Sequence, residues 1–172
     1  MLLKNMKNHQ IYLNIDPNLK KEFPNIRTYV NQVVELALNY LQKTEKNEVF
    51  EVSISLVNNI EIQKINQQYR NKNQPTDVLS FSQLEGEEIP RLKEEPLILG
   101  DIFISYEFAK KQSKELNHTF YEELLRLIIH GLYHLLGYDH ERSEEEEKIM
   151  FDKEIQMSEY LKSNKKIQKF FK

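Results

Sequence analysis

The sequence predicts one domain, residues 1–172, that mixes about four strands with five to six helices around one buried helix. Three observations lead there. Four short segments alternate or run apolar in the manner of strands. Longer segments between them repeat their apolar residues at helical spacing. One of these, from Thr119 to Leu136, carries Leu124, Leu125, Leu127, Ile128, Ile129, Leu132, Leu135 and Leu136, so it is apolar on nearly every side. A helix of that kind belongs at the centre of a core.

Taken in order, Gln10 to Ile15 alternates in part and reads as a first strand. Asp16, Pro17 and Asn18 read as a turn. Asn25 is placed to cap a helix whose stripe is Ile26, Val30, Val33, Val34, Ala37, Leu38 and Leu41. Val49 to Val57 is a strand with Phe50, Val52, Ile54 and Leu56 on one face and Glu51, Ser53 and Ser55 on a wetter one. Asn58 can cap a helix running to about Tyr69, with Ile62, Ile65 and Tyr69 inward. A polar loop then leads to the strand Val78 to Phe81, and Pro75 holds the backbone before it extended. Arg70 and Lys72 put two cations beside that strand. They read as solvated unless the loop faces a site, where an arginine could grip a phosphate through two parallel hydrogen bonds.

Gln83 to Pro96 carries Glu85, Glu87, Glu88, Glu94 and Glu95 with Gly86 and two prolines, the composition of an exposed, mobile loop. Leu97 to Ile104 is a nearly continuous apolar strand interrupted at Gly100 and Asp101. A carboxylate there is costly unless it is paired. Asp101 either holds backbone amides at a bulge or orients a metal-bound histidine from behind. Ser105 caps a short helix to about Leu116, and Thr119 with Glu122 forms a capping box for the central helix. His9 and His118 read as surface residues. Ser143 with Glu146 opens a last helix to about Leu161, burying Ile149, Met150 and Ile155. The acids Glu144 to Glu147 suit the positive end of its dipole and need no ligand role. The basic tail, residues 162–172, has no acid and is open to disorder; as a nucleic-acid contact it is a weak signal.

The chemistry concentrates between residues 130 and 140, where three of the five histidines fall. His130 and His134 are four apart and share a helix face. Gly137 follows three residues later, where a helix can end in a left-handed turn, and the returning chain can bring His140 to the same point. Three imidazoles around an open position are the ligand set of a catalytic zinc. The spacing matches the long zincin signature in its histidines and its glycine. It departs at Gly131, where those proteases carry the glutamate that serves as general base. Peptide hydrolysis is therefore disfavoured, while metal-assisted hydrolysis of another bond is not. A purely structural zinc would want a fourth ligand. Without cysteine that ligand would be Asp139, Glu141 or a distant group.

Composition narrows the classes further. Hydrophobic residues make up 40% and charged residues 30%, as in soluble globular proteins. No apolar run approaches the roughly 20 residues of a membrane span. The N-terminus lacks a secretory core, and the absence of cysteine removes disulfide frameworks and thiolate catalysis. A cytoplasmic protein is expected. The net charge of -3 gives no bulk nucleic-acid footprint, so an anionic substrate would have to be held by local cations.

Three stretches together resemble the YbeY family of bacterial endoribonucleases and rRNA maturation factors. They are Tyr69-Arg70 followed by Pro75 to Phe81; Leu99 to Ile102; and His130 to His140. Small departures are Tyr133 in place of a smaller aliphatic residue, Ser82 in place of proline and Asn73 in place of aspartate. The resemblance implies an α+β fold with a single mixed sheet, and one Zn2+ held by His130, His134 and His140. It implies a single-strand-specific endoribonuclease acting in rRNA maturation, notably at the small-subunit 3′ end, and in ribosome quality control. It carries a catalytic arginine onto Arg70. Asp101 and Asp139 are candidate supporting residues, and Asp139 is also a candidate proton acceptor. The implied partners are RNA, the small ribosomal subunit and an assembly GTPase, with no membrane. The rival expectations are a zinc hydrolase of another class, and a non-catalytic assembly factor with a structural metal.

Overall fold

The computed structural model describes residues 8–86, 90–92 and 94–172. Its centre is one four-stranded mixed sheet in the order β1-β2-β4-β3. Strands β1 (Gln10–Ile15), β2 (Phe50–Val57) and β4 (Leu97–Ser105) run parallel, and β3 (Val78–Ser82) is antiparallel to β4 at one edge. Parallel neighbours need long crossovers, and helices supply them. Helices α1 (Pro17–Glu22) and α2 (Ile26–Thr44) join β1 to β2. Helix α3 (Asn59–Arg70) with β3 fills the passage from β2 to β4. Then come α4 (Tyr106–Glu115), α5 (Phe120–Leu135), α6 (Glu144–Lys162) and α7 (Lys165–Gln168). This is the α+β architecture expected, with seven helices among the described residues.

The two faces of the sheet are covered unequally. Phe50, Val52, Ile54 and Leu56 of β2 and Ile102 and Ile104 of β4 join one large core with α2 and α5. On the opposite face, Val57, Ile62 and Leu79 form a small cluster with Ile65, Phe81 and Phe103 beneath α3. Helix α5 is the buried centre that its composition predicted, with Leu124, Leu125, Ile128, Leu132 and Leu135 wholly inside. Thr119 and Glu122 form its capping box. At Gly100 the φ angle is +131°, and a Cβ there would stand 2.0 Å from the Phe81 carbonyl oxygen. Only glycine fits. The register of β4 against β2 slips at this point, so the expected interruption is a bulge.

Several local expectations are corrected. Asp16, Pro17 and Asn18 do not form a simple turn: Asp16 caps α1, accepting from the Asn18 amide, with Pro17 at the first helical position. Asn25 begins α2 without a side-chain cap. Tyr69 is 63% exposed, and Asn66 takes the inner place, donating to the Gln74 carbonyl at 2.8 Å. In α6 the buried residues are Met150, Met157 and Leu161, while Ile149 and Ile155 stay exposed. His9 is half-buried, accepts from the Phe50 amide at 3.0 Å and stacks on the Phe50 ring. His118 pairs with the fully buried Glu123 at 2.7 Å. The tail is partly helical, because Ile167 is buried and Phe170 packs on Tyr29 and Tyr121. The acidic segment 83–96 lies partly outside the described residues; of the rest, Arg91 is tied to Glu48 at 2.6 Å.

Candidate metal centre

The site begins with how α5 ends. Gly137 has φ +94°. Its amide donates to the His134 carbonyl at 3.0 Å, and the Tyr138 amide reaches back to the Tyr133 carbonyl at 3.1 Å. This pair of bonds is a Schellman stop, which requires a left-handed residue and favours an apolar contact across it. Tyr133 and Tyr138 make that contact edge-on, with ring centroids 5.4 Å apart. The larger side chain at Tyr133 thus seals the stop. Asp139 then accepts from the Glu141 amide at 2.8 Å and pairs with Arg142 at 3.2 Å, closing the turn that carries His140. That amide, followed by Arg142 and the nearby histidines, holds the Asp139 carboxyl below its ordinary range despite some opposing desolvation.

The result gathers His130, His134 and His140, with one ligand nitrogen from each lying within 4.8 Å of the others. His130 Nε2 and His134 Nε2 stand 3.1 Å apart. Two nitrogens bound tetrahedrally to one zinc would be about 3.3 Å apart. The second nitrogen of His130, Nδ1, is 2.7 Å from Glu154 Oε1. If Nδ1 carries the proton, the Nε2 lone pair faces the cluster, which suits a cation. Burial, and then the neighbouring His130 and His140, lower the His134 pKa and favour the neutral imidazole that a metal needs. The residues present therefore fit a three-histidine zinc site.

Gly131 is explained by packing. A Cβ there would meet Cδ1 and Cγ2 of Ile102 at 2.9 Å and Ser80 Oγ at 3.2 Å. The sheet occupies the space in which a glutamate base would have to stand. Ser80 also reaches the other predicted residue: its carbonyl accepts from Arg70 Nη2 at 3.2 Å, and the guanidinium lies over Phe81, 5.8 Å from the ring centroid. Arg70 thus sits at the free edge of the strand against which α5 packs. Asp101 is placed differently. Ile102 faces α5, so its neighbour Asp101 faces the other side of the sheet, level with Phe81. The carboxylate behind a histidine is Glu154 of α6, which the sequence reading passed over. No local pattern could mark it, because its partner is 24 residues away and the contact depends on how α6 folds back.

A mixed sheet carrying three imidazoles at the exit of its central helix defines an α+β protein with a candidate three-histidine metal site. The comparisons place it further: the chain belongs to the endoribonuclease YbeY family, whose model matches residues 14–162. It is 42% identical to the Endoribonuclease YbeY of Persephonella marina over 137 residues, which is 80% of this chain and 84% of that one. It is 49% identical to that of a Geobacillus strain over 126 residues, covering 71% and 80%. The solution structure of TM1509 from Thermotoga maritima covers 90% of both chains with 29% identity and a TM-score of 0.55, so it shares the fold.

Proposed function

We propose that this protein is a zinc-dependent endoribonuclease that cuts single-stranded RNA during ribosomal RNA maturation, at the small-subunit 3′ end, and in ribosome quality control. The carrying observation is the convergence of His130, His134 and His140 in a chain of the YbeY family. A zinc ion there would supply Lewis acidity and make water more acidic. His130, His134 and His140 would hold the ion, and the apolar body of α5 lies behind His130 and His134. Arg70, at the β3 edge, is the cation to take the phosphodiester and offset its charge. Asp139 shapes the His140 turn and is a candidate to accept a proton. RNA, the small ribosomal subunit and an assembly GTPase are the proposed partners, in the cytoplasm. No helix among the described residues is long and apolar enough to cross a membrane.

The deciding experiment measures zinc content and cleavage of single-stranded RNA for wild type and His134→Ala. The expected result is about one zinc per wild-type chain with cleavage, both lost in a mutant that stays folded. Zinc without cleavage in wild type would favour a structural metal in an assembly factor. Arg70→Ala should cut cleavage by about 100-fold or more and leave zinc content unchanged. Lost zinc would make Arg70 structural. A peptidase is disfavoured by the packing at Gly131, and a peptide-hydrolysis assay is expected to be blank.

A further inference from the structure

Glu154 has no part in the reaction as described, yet it is the carboxylate in contact with the cluster. Its Oε1 lies 2.7 Å from His130 Nδ1, and both side chains are 24% exposed. A neutral imidazole carries one proton, on either nitrogen. A carboxylate facing Nδ1 draws the proton there, leaves the Nε2 lone pair toward the other histidines, and stops the ring from turning.

Glu154 is itself held from three sides through its neighbour. Lys153 Nζ donates to Glu45 Oε1 at 2.6 Å, at the end of α2. The Lys153 carbonyl accepts from Tyr133 Oη at 3.3 Å, from α5. Glu45 Oε2 accepts from Tyr138 Oη at 2.8 Å, and the Lys153 ammonium lies 5.2 Å from the centre of the Tyr138 ring. Tyr133 and Tyr138 are the two residues that seal the α5 stop. One set of contacts therefore fixes both the turn toward His140 and the segment of α6 that carries Glu154.

We infer that Glu154 is a positioning residue that fixes the tautomer and orientation of His130 and so sets how tightly this site holds zinc. The inference rests on the zinc reading above. Helix α6 is then a wall of the metal site as well as part of the scaffold.

The test measures zinc affinity by chelator competition on the full chain. The proteins are wild type, His134→Ala, Glu154→Ala, Glu154→Gln and, as a control on the exposed side of the same helix, Glu159→Ala. Glu154→Ala is expected to weaken zinc by 10- to 100-fold. Glu154→Gln keeps an oxygen to accept from Nδ1–H and should lose less, and Glu159→Ala should match wild type. Zinc affinity of Glu154→Ala within about twofold of wild type would overturn this inference alone, with His134→Ala still showing that the histidines bind the metal. Failure of wild type to bind zinc would overturn the metal reading and this inference with it. A readout independent of the variants is the two-bond 1H–15N spectrum of metal-free wild type at a pH where the histidines are neutral. It is expected to show His130 protonated at Nδ1, and protonation at Nε2 would overturn the inference even if Glu154→Ala failed to fold.

Discussion

A methyl group on Gly131 would press on two atoms of Ile102, which is itself wholly buried. Alanine gains roughly 1 kcal/mol of helix propensity over glycine. Overpacking a tight core costs about 1–3 kcal/mol. Ile102 is a β4 residue whose wholly buried side chain meets α5 at Gly131, so the second effect should win. Gly131→Ala is expected to destabilise the protein by about 1 kcal/mol net, seen as a lowered urea midpoint. An unchanged or raised midpoint would show that Ile102 yields. The same crowding explains why the histidine spacing of a zincin can occur without its glutamate: the position is taken by Ile102 and Ser80 of the sheet.

At the scale of elements, His9 joins the start of β1 to β2 in a pH-sensitive way. Its Nδ1 accepts the Phe50 amide proton, which only the neutral ring can do. Burial lowers its pKa, outweighing the opposing pull of Asn39 and Glu35. The unfolded chain therefore binds this proton more readily than the folded one. The contribution of His9 is full above the unfolded value of about 6.5 and is lost as pH falls below it. His9→Ala should be less stable at pH 8, and its urea midpoint should fall less steeply between pH 7 and pH 5. An equally steep fall in the variant would remove His9 from the acid response.

The whole molecule closes around its C-terminal turn. Ile167 is fully buried, and the Phe170 ring lies 4.9 Å from that of Tyr29 and 5.2 Å from that of Tyr121. Burying a side chain of this size stabilises by about 1.5–3 kcal/mol. Deleting residues 164–172 is expected to cost about 3 kcal/mol of unfolding free energy, read by urea denaturation. A loss below about 1 kcal/mol would mean that this turn only rests on the surface.

The sequence by itself determined most of the elements and the candidate ligands, although it read α1 as a turn and α7 as part of a loose tail. Apolar spacing drew the strands and α5, and the spacing of His130, His134, Gly137 and His140 marked the cluster, because four-residue pairing and a glycine stop are local properties of a helix. The tertiary structure decided what depends on elements meeting. It turned Asp101 away from α5, since neighbours in a strand face opposite sides. It buried Glu123 between His118 and Arg126, and put Ile167 into the core of a tail that reads as basic. It also brought Glu154 to His130 across 24 residues. Contacts of that kind leave no periodic trace in the sequence, because they are set by how helices pack and not by the repeat of any one of them.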